Sequence, residues 1–120
     1  MPRARRHPSP GLHAVSEKLS APPARISPGT VREIAELFAL LSSESRLRIL
    51  HAIALHGDMH VRRVADTVGM KIAAVSNQLR LMARSGILGA RSEGLRVIYS
   101  IIDPAVTELL AAGARLRARR

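Results

Sequence analysis

After residue 29, apolar residues recur at the three- and four-residue spacing of amphipathic helices. This spacing predicts four helices, at residues 30–41, 44–56, 61–68 and 71–84. Thr30 and Glu33 have the separation of a capping box, which places the start of the first helix at Thr30. Ser42 and Ser43 separate the first helix from the second, and Gly57 ends the second.

The third and fourth helices have the spacing of a helix-turn-helix. Ala65 is small where the two helices cross, and Gly69 permits the tight turn between them. Val75, Leu79 and Met82 share one face of the fourth helix. They are therefore expected to point into the core.

Beyond the fourth helix, the pattern changes to the two-residue period of β-strands. Two strands are predicted, at 87–90 and 95–102, around a turn that contains Gly94. Asp103 as N-cap and Pro104 in the first turn begin a fifth helix. The predicted fold is mainly α with a β-hairpin, in the order four helices, hairpin, helix, which is a winged helix-turn-helix.

The two ends of the chain differ from this periodic part. Six of the seven prolines lie within residues 1–29, together with five basic residues and one acidic residue. Such a segment cannot bury enough apolar surface to offset the entropy lost on ordering. We predict a disordered basic Pro-rich arm at 1–29, a folded domain at 30–114 and a basic C-terminal tail at 115–120.

Charge and composition narrow the functional classes. Nineteen Lys+Arg against nine Asp+Glu give a formal charge of +10, which attracts polyanions, nucleic acid first and acidic membrane surfaces second. The absence of Cys excludes disulfides and thiolate metal sites. No apolar run of about 18 residues, secretory signal or catalytic constellation is visible. We expect a cytoplasmic protein that is not an enzyme.

Three segments occur in a recognisable order: Leu41-Ser-Ser-Glu-Ser-Arg-Leu-Arg-Ile-Leu50, Ala74-Val-Ser-Asn-Gln-Leu-Arg-Leu-Met82 and Ser92-Glu-Gly-Leu-Arg-Val-Ile-Tyr99. They resemble Leu-Ala-Asp-Pro-Thr-Arg-Leu-Arg-Ile-Leu, Ala-Val-Ser-x-His-Leu-x-x-Leu and Arg-Glu-Gly-Arg-x-Val-x-Tyr of the ArsR/SmtB family of winged-helix repressors. The resemblance implies a homodimeric, sequence-specific transcriptional repressor. Residues 30–114 would then bind double-stranded DNA at an inverted-repeat operator and form the dimer.

Polar side chains on the outer face of the fourth helix are the candidate readers of DNA. Asn77 or Gln78 can pair bidentately with adenine, and Arg80 can reach guanine or phosphate. Arginines on the hairpin fit a minor groove, and those on the third helix fit phosphates. The candidate DNA-binding residues are Lys71, Ser76, Asn77, Gln78, Arg80, Arg91, Arg96, Arg62 and Arg63.

Ile72 and Ala73 stand where family members usually carry polar residues, and Leu95 stands where they often carry Arg. Apolar side chains on this face can touch only thymine methyl groups among the base edges. They also favour a second interpretation, a winged-helix interaction module that works with a partner protein. The basic tails favour a third, an architectural protein that binds DNA without sequence preference.

The terminal helices are expected to form the dimer interface, because the resemblance implies a dimer and both helices carry apolar residues. The candidate interface residues are Val31, Ile34, Phe38, Val106, Leu109 and Leu110.

Family members often release DNA when a metal binds, and the chain matches the family's metal sites poorly. At the site on the C-terminal helix, Asp103 is retained, but Ala105, Leu116 and Arg119 occupy the positions of the three His ligands. One ligand of four cannot bind zinc or nickel tightly. The resemblance therefore implies that this site is lost.

At the family's other site, His60 and Arg62 occupy the positions of a Cys-x-Cys pair. With His7 or His13 from the partner's arm, His60 would form an imidazole site suited to nickel or zinc as an effector. The alternative is that His60 caps a helix and the arm histidines are solvated. No other cofactor is expected, and the inducing signal is a metal, another ligand or a partner protein.

Overall fold

The computed structural model describes residues 25–119, which fold into five helices and three strands. In chain order these are α1 (Pro28–Leu41), α2 (Glu44–His56), β1 (Met59–His60), α3 (Val61–Val68), α4 (Ile72–Arg84), β2 (Leu88–Glu93), β3 (Arg96–Ile101) and α5 (Pro104–Ala118). The chain divides into two units, and the boundary between them falls within α1. The first unit ends at Ala35, and the second begins at Glu36. The predicted order of helices, hairpin and final helix is confirmed, whereas most of the predicted arm lies outside the described residues.

Helix α1 begins at Pro28, two residues earlier than predicted. The hydroxyl oxygen of Ser27 accepts a hydrogen bond from the backbone N–H of Thr30 at 3.1 Å, so Ser27 is the cap. Pro28 suits the first helical position because its missing N–H would have no partner there. The predicted capping box of Thr30 and Glu33 is therefore wrong, since the Ser-Pro pair just before it already starts the helix.

The two helices of the helix-turn-helix, α3 and α4, lie where they were predicted. Gly69 adopts the left-handed conformation at φ 71°, and its N–H bonds to the Ala65 carbonyl at 2.8 Å. Val75, Leu79 and Met82 of α4 are fully buried. Because these three residues fix the inner face of α4, they also define which side chains face outward.

The sheet has three antiparallel strands in the order β1-β3-β2, one more than predicted. Strand β1 is two residues long, with Met59 opposite Tyr99. Strand β2 continues to Glu93, which pairs with Arg96, so the turn consists of Gly94 and Leu95 alone. The hairpin is therefore longer and tighter than the sequence pattern indicated.

A single aliphatic core joins the helices and the sheet of the second unit. Its buried members are Ile49, Leu50, Ala52, Ile53, Met59, Val64, Ala65, Val68, Val75, Leu79, Met82, Ile87, Leu88, Tyr99 and Val106. Val106, a candidate for the dimer interface, lies in this core and is only 8% exposed. Leu110 packs partly against the same core.

Helix α5 begins as predicted and runs past residue 114, the predicted end of the folded domain. Asp103 caps it by accepting a hydrogen bond from the N–H of Ala105 at 2.9 Å. It continues to Ala118, so Arg115 and Arg117 of the predicted tail are helical. No helix within residues 25–119 is long and apolar enough to cross a membrane.

Two glycine-to-alanine substitutions should have opposite effects on stability. Neither Gly69 nor Gly113 has a heavy atom within 4 Å of an added Cβ, so backbone conformation decides both outcomes. Gly69→Ala should destabilise the fold by about 1 to 2 kcal/mol, because alanine is strained at positive φ. Gly113→Ala, inside α5, should stabilise it by about 0.5 to 1 kcal/mol. Urea unfolding of both variants tests this, and a neutral Gly69→Ala would show that the turn can adjust.

Candidate nucleic-acid interface

The outer face of α4 is the centre of the candidate interface. With its inner face fixed in the core, a turn of about 100° per residue places three residues opposite that face and two more, Ile72 and Ser76, on the flank beside them. The five residues form one continuous strip along the helix. These residues are Ile72, Ala73, Ser76, Asn77 and Arg80. All are exposed except Ser76, which is half-buried. The predicted readers Ser76, Asn77 and Arg80 therefore share one accessible surface.

Hydrogen bonds link these three side chains. The guanidinium of Arg80 donates from Nη1 to Ser76 Oγ at 2.5 Å and from Nη2 to Asn77 Oδ1 at 2.6 Å. The i,i+4 and i,i+3 spacings bring these groups together on one helix surface. Arg80 retains further N–H donors, and the Asn77 amide retains its NH₂ group. The cluster can thus offer several donors to the acceptors of a base edge or a phosphate.

Gln78 does not belong to this cluster. It is half-buried, and its Oε1 accepts a hydrogen bond from Arg46 Nε at 2.7 Å. Arg46 also donates from Nη1 to the carbonyl of Leu40 at 2.8 Å. Gln78 therefore connects α4 to α2 and to the end of α1. Of the two amides predicted to pair with adenine, the geometry favours Asn77.

Arg46 and Arg48 are positioning residues whose role the sequence pattern did not reveal. Arg48 of α2 donates to the carbonyl of Val68, at the end of α3. The last carbonyls of a helix have no partner within the helix, and basic side chains commonly satisfy them. The two arginines of the first family-like segment thus connect α2 to the helix-turn-helix. That alternation of Arg and apolar residues was the available signal.

Basic residues flank the cluster on the helix-turn-helix. Arg62 and Arg63 are exposed on α3. Lys71 is exposed at the N-cap position of α4, where its side chain makes no capping hydrogen bond. The first N–H groups of α4 therefore keep their partial positive charge, and the preceding residue, Lys71, adds a full one. This end of the surface is suited to phosphate.

The wing is the hairpin of β2 and β3. It carries less unpaired positive charge than its sequence suggests. Arg91 forms ion pairs with Asp58 at 3.0 Å and with Glu93 at 2.9 Å. The hydrogen bonds that Arg91 donates to these two carboxylates, the one to Asp58 first, raise the pKa of Arg91 above its ordinary value. A phosphate that approaches Arg91 must compete with two carboxylates. Arg96 is exposed on β3, opposite Glu93 in the strand register.

His60 acts as the N-cap of α3. Its Nδ1 accepts the backbone N–H of Arg63 at 3.4 Å. Within residues 25–119, no three His, Cys, Asp or Glu side chains form a group that could hold a metal ion. His7 and His13 lie outside the described residues.

Several of the candidate residues for the dimer interface expose apolar surface. Phe38 of α1 is 52% exposed, and Leu109 of α5 is 38% exposed. In the first unit, Val31 is exposed and Ile34 is half-buried. Phe38 and Leu109 are therefore accessible to a partner, unlike Val106.

Comparison with known proteins finds that the chain is similar to transcriptional regulators. A family model described as HVO_A0114 matches residues 41–103. An uncharacterized HTH-type transcriptional regulator of Mycobacterium tuberculosis is 34% identical over 85 residues, which cover 71% of this chain and 75% of the relative. The AntR antimony-specific transcriptional repressor superposes with a TM-score of 0.73 at 39% identity, covering 81% of this chain and 87% of its own.

A second solved structure is the homodimeric winged helix-turn-helix DNA-binding domain of Mb0332 from Mycobacterium bovis, a possible ArsR-family regulator. It gives a TM-score of 0.69 at 27% identity and covers 81% of this chain and 92% of its own. The family match spans α2 through β3, and so includes both the helix-turn-helix and the wing.

Proposed function

The chain belongs to the ArsR/SmtB family of winged-helix transcriptional regulators, and we propose that it acts as a homodimeric repressor of an inverted-repeat operator. The outer face of α4 carries this proposal. There, Arg80 is hydrogen-bonded to Ser76 and Asn77 on a helix whose opposite face is buried. Its proposed action is binding to DNA in the cytoplasm, without catalysis.

In the proposed complex, α4 enters the major groove and presents Asn77 and Arg80 to base edges. A bidentate contact from such a side chain contributes about 1 to 3 kcal/mol of discrimination against a wrong base. Arg62, Arg63 and Lys71 contact flanking phosphates, which fix the orientation of the domain. Arg96 of the wing lies along the neighbouring minor groove or its phosphates.

The dimer is proposed to form through α1 and α5. The exposed apolar side chains Phe38 and Leu109 would otherwise stay in contact with water. A dimer with two-fold symmetry places two recognition helices about 34 Å apart, one turn of the DNA helix. That spacing is the reason to expect an inverted repeat.

Selection from a random duplex library with the full chain tests the proposal, because it identifies the target sequence directly. The selected sequences should converge on an inverted repeat with half-site centres about 10 base pairs apart. Footprinting should then show discrete protection over that repeat. Diffuse protection would indicate an architectural protein, and no protection would indicate a protein-interaction module, so either result would contradict a repressor.

We further propose that metal ions do not control operator binding through His60. The Nδ1 of His60 already accepts a backbone hydrogen bond, which a metal at Nδ1 would have to displace. A metal at Nε2 would also break this bond, because the proton of the neutral imidazole would then have to sit on Nδ1. Operator affinity should therefore change less than about two-fold between chelator and added nickel or zinc, measured by fluorescence anisotropy. A metal-induced release of DNA that His60→Ala abolishes would instead establish a nickel- or zinc-responsive site.

A further inference from the structure

Ile72 is a large aliphatic side chain on the face that we assign to DNA. It is the first residue of α4, and 40% of it is exposed. Ser76 follows one helical turn later on the same face. The side chain of an isoleucine can form no hydrogen bond with a base or a phosphate. Its exposed surface therefore favours an apolar contact within an otherwise polar interface.

The immediate surroundings of Ile72 do not resemble a protein-binding patch. Lys71 precedes it, the small Ala73 follows it, and Ser76 and Arg80 continue the same face. An interaction site for a protein usually presents a contiguous apolar surface of a few hundred Å². One isoleucine among polar and basic residues is better matched to a small apolar group on a polar, anionic partner.

The major-groove edges of the base pairs contain one such group, the C5-methyl of thymine. We propose that Ile72 determines specificity by packing against a thymine methyl in each half-site. This inference rests on the proposed binding of an operator by α4. At about 1.5 Å of rise per residue, Ile72 lies about 7.5 Å from Asn77 along the helix. The thymine should therefore lie within about two base pairs of the base that Asn77 contacts.

Deoxyuridine tests this contact because it removes the methyl and leaves the base-pairing groups unchanged. Each thymine of the selected operator is replaced in turn by deoxyuridine, symmetrically in both half-sites, and affinity for the full chain is measured by fluorescence anisotropy. At one position the loss should be about 4-fold per methyl, or about 15-fold for both half-sites. The other positions should change little.

The same measurements with Ile72→Ala assign the contact to this side chain. The variant should bind the normal operator about as weakly as the wild-type chain binds the demethylated one. For the variant, the difference in affinity between the thymine and the uracil operator should vanish. Ile72→Val should retain most of the difference. Leu55→Ala is the matched control, because it truncates another exposed aliphatic residue, on α2, and should leave the difference unchanged.

Three results would overturn the proposal. If no thymine is sensitive to demethylation although the operator binds tightly, the apolar contact is absent and the repressor function stands. If a sensitivity persists in Ile72→Ala, another group senses the methyl. If the wild-type chain selects no specific DNA, the proposed function fails and this inference fails with it.

Discussion

Replacing Asn77 and Arg80 together by alanine is expected to abolish specific operator binding while the protein stays folded and dimeric. Each protomer loses two base-contacting side chains, so the complex loses four contacts. At the lower limit of about 1 kcal/mol each, the loss is about 4 kcal/mol, or about 1000-fold in affinity. That is enough to reduce binding to the level of non-specific DNA. Fluorescence anisotropy with operator and scrambled duplexes measures the ratio directly.

The single variants should reveal whether the hydrogen-bonded cluster acts as a unit. Because Arg80 donates to both Asn77 and Ser76, removal of Arg80 also releases the Asn77 carboxamide oxygen. The losses from Asn77→Ala and Arg80→Ala should therefore not add, and a double-mutant cycle would give the coupling energy. Strict additivity would mean that the two side chains contact DNA independently.

A charge-matched variant separates base reading from general attraction. Arg115→Ala removes one positive charge from α5, which does not belong to the proposed recognition surface. It should weaken binding to operator and scrambled DNA alike and leave their ratio unchanged. If the Asn77 and Arg80 double variant behaves in the same way, or binds the operator normally, the assigned recognition face is wrong.

Local signals were sufficient to predict the helix-turn-helix. Val75, Leu79 and Met82 repeat at helical spacing, and all three are fully buried. Gly69, which was expected to permit the tight turn, ends α3 in the left-handed conformation. In contrast, β1 has only two residues and forms by pairing with β3, about forty residues later in the chain. Periodicity cannot reveal a strand of that length.

At the candidate site, the sequence could not predict the pairing between distant side chains. Helical spacing placed Gln78 beside Asn77, but Arg46, 32 residues away in sequence, holds it on the inner flank of α4. Arg91 was assigned to DNA, but Asp58, 33 residues away, shares its charge. Helical spacing indicates the face on which a side chain lies. It does not reveal the partner that a neighbouring element brings to it.

The prediction of the dimer interface depends on which of its candidate apolar residues are exposed and which are buried. Phe38 and Leu109 are exposed, whereas Val106 lies in the core and a polar residue there would disrupt the fold itself. We therefore expect Phe38→Asp and Leu109→Asp, made separately and together, to convert the proposed dimer to a folded monomer. Sedimentation velocity should show the change in mass, and circular dichroism should show unchanged helix content.

Loss of the dimer should also reduce operator affinity, because a monomer contacts only one half-site. Linking two binding modules typically raises affinity by about 10² to 10⁴-fold, and the monomer should lose a factor in this range. Leu55→Asp is the control, since Leu55 lies on α2 and is 66% exposed. It introduces the same charge, so it should leave the mass unchanged and weaken binding to operator and scrambled DNA no more than Arg115→Ala does. Dimers that persist in the Phe38 and Leu109 variants would place the interface on another surface.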